Sequence, residues 1–426
     1  MSASSPGTVT PGPRWGALSY PQFQRYWIAQ LCRVLGLQFR IIALPWLVSV
    51  ELDRSPIWLG IVALAGSLPT IVFSVPAGVL ADRFNDQKVV VYSQGAYALT
   101  ALALPVLIFA GLANIWVVIA WSIVTGILAA LGNPAQQSLM PRLIEMRVMP
   151  SAVALSSMVW SSMRIIGPAA AGVLLAVIGT AEAFFVTAVG VGVGTLLMAS
   201  LKPRPRGLSQ RAEGERDDMW TGLRYIFGHR LFLATIGLSF FTSVFGMSYQ
   251  FLMPVFANDI LDVGEVGFGM LEAATGLGSV LGTVAIIKVG AGRHAGVVMI
   301  ACAALFGLFI AGFAASRAMP LSMGLLFLAG FFSAMYLNIG MTALQMAVPD
   351  DLRGRVMGVW SMTWFLASVG ALPAGAVAEV LGAPLSVALG GLSVSAFALF
   401  VFFTSPELRH VDLEAAAEGR PATAGT

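Results

Sequence analysis

Four charged residues fall deep inside long apolar runs of this 426-residue chain: Arg33, Arg40, Arg164 and Glu272. Charge in hydrocarbon is costly, so each needs a partner or a water-filled cavity, and each is a candidate functional residue. Arg33 and Arg40 stand two helical turns apart, on one helix face and about 10 Å from each other along the axis. Leu37 and Leu44 lie near that face and Gly36 at its margin. Two readings of the pair stay open: it attracts an anionic group of a substrate, or it holds a carboxylate partner on another helix. Glu272 is expected at a depth similar to Arg40, with Thr275, Gly276, Ser279 and Thr283 continuing its face. A carboxyl group gains proton affinity on burial and loses it beside an Arg, so pairing and unpairing would load and release a proton. The alternative for Glu272 is a structural pair with Arg40 or Arg164. For Arg164 itself a structural role is expected.

Small and polar residues recur at helical spacing in three other runs. These are Ser122, Thr125, Gly126 and Ala129; Ser239, Ser243, Gly246 and Gln250; and Asn338, Thr342 and Gln345. Such stripes fit the lining of a cavity. Trp121, Phe240, Tyr249, Tyr336, Trp360 and Trp364 would supply an aromatic wall, or else pack between helices and anchor the interface. Other chemistry finds little support. The three histidines, His229, His294 and His410, fall in polar connections or the tail, and Cys32 and Cys302 fall inside apolar runs, so no metal or disulfide pattern arises. The Gly-x-Gly runs lack the Lys-Ser/Thr that a phosphate-binding loop requires. An enzyme is therefore not expected, no cofactor is expected, and neither ATP nor nucleic acid is an expected partner.

The elements that must position these residues are membrane spans. The chain is 58% hydrophobic and 11% charged, with a mean hydropathy of +0.84. Soluble domains run near 25% charged, so this is a polytopic membrane protein. The 46 glycines suit close helix packing in lipid. Runs of about 20 apolar residues place helices near 24–49, 57–80, 88–112, 114–132, 151–178, 181–201, 232–256, 267–288, 294–314, 320–346, 356–382 and 385–404. With the N-terminus inside, only Arg54 and Arg317 of the 24 basic residues fall in outer connections, which carry mostly acids such as Glu51, Asp53 and Asp262. The positive-inside rule then puts both termini in the cytoplasm. Residues 1–20 form a disordered cytoplasmic N-terminus, 21–201 a first six-helix bundle, and 202–231 a cytoplasmic linker with an amphipathic segment. Residues 232–404 form a second bundle and 405–426 a cytoplasmic tail. No basic-then-apolar segment with a cleavage site precedes the first span, so no signal peptide is expected.

Between the second and third spans, the stretch from Pro76 to Lys88 packs Asp82, Arg83, Asp86 and Lys88 into one short turn. It must sit at a water interface, as a plain solvated hairpin or as a gating loop. There is also an internal repeat. Gln137-Ser-Leu-Met-Pro141 with Arg147-Val-Met149 matches Gln345-Met-Ala-Val-Pro349 with Arg355-Val-Met357, about half the chain further on. Duplicated six-helix halves are a transporter architecture, with the substrate site near the midplane between halves.

These stretches resemble the major facilitator superfamily. Gly78-Val-Leu-Ala-Asp82-Arg83 with Lys88 is similar to its loop motif between the second and third helices, Gly-x-x-x-Asp-Arg-x-Gly-Arg-Arg/Lys. Asn85, Asp86 and Gln87 depart from it, which implies a loop that holds its partners less firmly. Asn133 to Pro141, Arg164-Ile-Ile-Gly-Pro168 with Gly172, Ala43 to Leu47 and Pro254 to Ala257 resemble the branch of enterobactin exporters and macrolide-efflux proteins. The resemblance covers residues 18–405. It implies that Asp82 anchors the gating loop, with Arg83 and Lys88 as companions and Arg142 and Arg147 as candidate partners. Gly167-Pro168-Ala-Ala-Ala-Gly172 resembles the antiporter motif, with a packing kink as the alternative. The fold it implies is all-α, with twelve transmembrane helices in two pseudo-symmetric six-helix bundles. The first, fourth, seventh and tenth helices would line the cavity, which points to Trp121, Thr125, Ser243, Gln250, Tyr336 and Asn338.

The reading is a secondary active transporter in the bacterial cytoplasmic membrane. It would move amphipathic small molecules, such as a drug or siderophore, outward by alternating access, with protons as the coupling ion. The alternatives are an importer or uniporter of the same fold, or a non-transporting sensor or scaffold. A monomer is compatible with the sequence.

Overall fold

The computed structural model describes residues 16–83, 85–204, 226–227, 230–289, 292–348 and 350–409. They form twelve helices long and apolar enough to cross a membrane. These are α1 (Pro21–Glu51) and α7 (Leu231–Ile260), and α2 (Pro56–Arg83), α3 (Asp86–Phe109), α4 (Ile115–Leu139), α5 (Met149–Ile178), α6 (Thr180–Ala199), α8 (Gly264–Val289), α9 (Ala295–Ala315), α10 (Met319–Ala347), α11 (Asp350–Leu381) and α12 (Ala383–Thr404). Helix starts follow local chemistry. The Asn85 and Asn114 side chains accept backbone N–H bonds at the starts of α3 and α4, filling donors that have no helical acceptor.

The two halves repeat in backbone detail. α1 carries Pro45, ends in a π-helical turn over Leu47–Glu51 and is followed by Asp53 at φ 48°. α7 carries Pro254, ends in a π turn over Phe256–Ile260 and is followed by Asp262 at φ 52°. The closing bonds match as well: Leu52 N–H to Leu47 O and Leu261 N–H to Phe256 O, both 2.9 Å. Likewise α5 passes into α6 through Gly179 at φ +100°, and α11 into α12 through Gly382 at φ +86°. Left-handed backbone at a single residue lets each pair turn back without a loop, and glycine adopts it without a Cβ clash.

The side that carries Ala17 and Leu408 is the terminal side and the other the distal side. On the distal side one core spans both bundles, joining Trp46, Leu59 and Leu175 to Phe256, Phe268 and Ala378. On the terminal side each bundle has its own core, one around Phe23, Ala135 and Leu143, the other around Phe232, Tyr336 and Val356. The halves are therefore joined distally and separate toward the termini.

Two crossings make the distal seal. α2 meets α11, where a Cβ on Gly60 would lie 2.5 Å from Ala371 O and one on Gly375 2.7 Å from Pro56 O. α5 meets α8, where a Cβ on Gly172 would lie 2.6 Å from Glu265 O and one on Gly269 2.5 Å from Pro168 O. Only residues without a side chain allow backbones this close.

Candidate functional site

Between the bundles lies a cavity of about 800 Å³, within the range that small-molecule sites occupy. α1 contributes one wall with Tyr26, Gln30, Arg33, Leu37, Arg40 and Leu44. α2 adds Gly66, Ser67 and Thr70, α3 adds Gln94 and Tyr97, and α4 adds Gly126, Asn133 and Gln136. The second bundle faces them with Gln250, Phe251, Glu272, Phe365 and Ser368. The cavity is capped by the distal seal and extends to Asn133 and Gln137, both exposed, on the terminal side.

Arg33 and Arg40 both line this space, as helical spacing on α1 requires. Arg40 Nη1 donates to the Tyr97 hydroxyl at 3.1 Å, and its guanidinium lies 5.6 Å from the Trp121 ring centroid. The Arg33 guanidinium lies 5.9 Å from the Trp160 ring centroid, and its buried Nε has no hydrogen-bond partner. Gln94 Nε2 donates to Gln136 Oε1 at 2.9 Å, while Gln30 Oε1 and Gln94 Oε1 are buried without partners.

Glu272 lines the cavity from the opposite bundle. Among the described residues it forms no ion pair within 4 Å to Arg40 or Arg164. Arg164 is the basic group within its electrostatic reach, and the buried Tyr249 hydroxyl sits among Thr275 and Gln250 close to both charges. Arg164 itself stands where α5 crosses α8. Pro168 lacks an N–H, so the Arg164 carbonyl loses its helical donor. That carbonyl lies so close to Gly276 that a Cβ there would overlap it. Gly167 abuts Gln38 on α1, whose Nε2 donates to Met163 O at 3.1 Å. The Gly167-Pro168-Gly172 segment thus packs against its own bundle at one end and the opposite bundle at the other.

Of the other expected lining residues, Gly126, Ala129 and Gln250 line the cavity, and most of the rest are placed elsewhere. Trp121 is 5% exposed, donates Nε1–H to Thr100 O at 2.7 Å and stacks edge-on to Phe184. Thr125 is fully buried and bonds back to Trp121 O and Ser122 O. On α4 the cavity is lined instead by Gly126, Leu128, Ala129, Gly132 and Asn133. Ser243, Tyr336 and Trp360 are buried, and Asn338 donates to Ala334 O and to Thr283 Oγ1 on α8. The cause in α7 is a second π segment, Thr242–Gly246, which α1 lacks. Each π turn adds a residue and rotates all that follows, so a face extrapolated at 3.6 residues per turn loses register. Ser239, ahead of the π segment, meets Thr363 on α11 at 2.7 Å, whereas Gln250, beyond it, lines the cavity. Phe240 is exposed and is not among the lining residues, and the side chain of Trp364 is outside the described residues.

At the terminal end of the first bundle, Gly78, Asp82 and Arg83 belong to the last turns of α2, with side chains outside the described residues. Lys88 is exposed in the first turn of α3. The three departures from the loop motif each have partners. Asn85 caps α3. Asp86 is 2% exposed and meets Arg142 at 2.8 Å. Gln87 Nε2 donates to Met198 O, Ala199 O and Leu201 O at the end of α6. Arg142 also donates through Nε to Arg204 O, and Arg147 pairs with Glu145 at 2.7 Å. Asp86 is the acid that takes Arg142. The loop motif did not mark it, and its position three residues before a polar-to-apolar change was the available signal.

Twelve membrane helices in two repeated bundles, closed on one side of a central cavity, define an integral membrane transporter of the major facilitator type. The chain belongs to the family described as "Transmembrane secretion effector", whose model matches residues 13–423. It is 25% identical over 379 residues to the staphyloferrin A transporter of Staphylococcus aureus, covering 86% of this chain and 92% of that protein. It is 26% identical over 404 residues to the multidrug efflux pump Tap of Mycolicibacterium fortuitum, covering 90% and 96%. It is 24% identical over 404 residues to the enterobactin exporter EntS of Escherichia coli K12, covering 92% and 94%. The fold matches the solved nucleoside transporter NupG with a TM-score of 0.70 at 12% identity, covering 90% of this chain and 98% of that one.

Proposed function

We propose that the protein exports amphipathic small molecules across the bacterial cytoplasmic membrane by alternating access, coupled to proton entry. The observation that carries the reading is the position of Glu272. It lines the cavity from one bundle, opposite Arg33 and Arg40 on the other, one helical turn from Gly276, which meets the Arg164 backbone at the inter-bundle crossing. A carboxyl group there senses both the cavity contents and the relative position of the bundles. Rocking of the halves changes its distance to the arginines, and with it the balance between the charged and protonated forms. The clustering of Lys and Arg on the terminal side supports cytoplasmic termini, which makes this conformation the one facing the cytoplasm. The kinship to Tap and EntS supports outward transport.

The test is uptake of a fluorescent amphipathic dye into everted vesicles under an imposed pH gradient. Gradient-driven uptake is expected with the unaltered chain, and Glu272→Gln should lose about tenfold or more of it while still exchanging dye down its own gradient. Undiminished pH-driven transport by Glu272→Gln would sink the assignment.

A further inference from the structure

The cavity holds two guanidinium groups and one carboxylate, on opposite walls, and the protein does not neutralise the arginines. Among the described residues neither Arg33 nor Arg40 has a carboxylate within 4 Å. Arg40 is fixed by a phenol hydroxyl and the face of Trp121. These orient the guanidinium without cancelling its charge. Arg33 lies near the face of Trp160 and keeps a buried Nε–H with nothing to accept it. Beside these donors are two acceptors without donors, Gln30 Oε1 and Gln94 Oε1; Gln30 is 4% and Gln94 8% exposed. Leu37 and Leu44 give the same wall an apolar surface.

We infer that the Arg33–Arg40 wall of α1 seats an organic acid: an amphipathic molecule with a carboxylate or similar oxyanion, and a hydroxyl or amide N–H beside it. The oxyanion meets the guanidinium N–H groups, the neighbouring donor meets the glutamine carbonyls, and the carbon skeleton lies against the leucines. This deepens the transport reading and rests on it. Charge-assisted bonds to a desolvated guanidinium are the strong kind, and each one lost in such a site weakens binding by roughly 10- to 100-fold. A cationic substrate would instead share the cavity with two uncompensated arginines on the wall facing Glu272.

The test uses three probes of one shape on the full-length protein in lipid nanodiscs, read by calorimetry. They are 3-hydroxy-2-naphthoate, its neutral carboxamide, and the corresponding primary amine, 3-hydroxy-2-naphthylmethylammonium. The acid is expected to bind at least about tenfold more tightly than the amide, with the amine weakest. Arg33→Gln and Arg40→Gln should each remove most of that preference, and Arg33→Lys should retain it. Equal or tighter binding of the amide or amine overturns the inference, as does a preference unchanged in both Gln variants, or no binding of the acid at millimolar concentration. If the Gln variants do not fold, the charge series on the unaltered protein decides. Vesicle flux separates the two readings. A pumped amine with no acid preference leaves transport standing and removes the acid site. Selective acid binding with no flux of any probe does the reverse.

Discussion

Gly269 offers the sharpest test of the distal seal. A Cβ built there would lie 2.5 Å from Pro168 O and 3.0 Å from Gly172 Cα. Both are backbone atoms on the opposite bundle, so no side chain can rotate aside. The helices must separate, and overpacking of this kind costs about 1–3 kcal/mol. In the proposed alternating-access cycle the two bundles joined here part in the opposite conformation, so the cost would fall on the distally closed state alone. A bias of that size changes the ratio of states by roughly 5- to 150-fold. Gly269→Ala should therefore populate a distally open form. Spin labels on Arg54→Cys, between α1 and α2, and Glu379→Cys, near the distal end of α11, are on opposite bundles and at exposed positions. With Cys32 and Cys302 replaced by Ser, double electron–electron resonance should show a longer component in the Gly269→Ala protein. Gly324→Ala, where an added Cβ meets nothing within 4 Å, should leave the distribution unchanged. A single short distance in a folded Gly269→Ala protein would refute the reasoning.

The Asp86–Arg142 pair ties the start of α3 to the connection between α4 and α5. Asp86→Asn leaves a guanidinium with 17% side-chain exposure facing a neutral amide, which should cost about 1–3 kcal/mol and lower the unfolding temperature in detergent. Arg142→Gln in the same background should then add little, and full additivity would show that the pair is not coupled. Ser239 and Thr363 meet at 2.7 Å between α7 and α11. A Ser239→Ala, Thr363→Val double-mutant cycle should return a coupling of about 0.6–1.7 kcal/mol, and zero coupling in the stability assay would remove that contact from the account.

The number of helices, their order and the two-bundle duplication were legible in the sequence, because each depends on a local and costly requirement. A backbone in lipid must satisfy its own hydrogen bonds over about 20 apolar residues, and charges cannot rest there without cause. The same cost marked Arg33, Arg40 and Glu272, and all three line the cavity. Positions that depend on neighbours were not legible. Trp121, Thr125, Ser243, Tyr336 and Asn338 have the residue types and spacing of a lining face, yet they pack between helices. On α4 the cavity takes the adjoining Gly126 and Ala129 instead, and the π turn at Thr242–Gly246 breaks the register between Ser239 and Gln250 on α7. Nor does periodicity distinguish Asp86, whose partner comes from a connection 56 positions away. Membrane insertion is decided segment by segment. The identity of a cavity wall is decided by where two bundles touch, and only the assembled helices determine that.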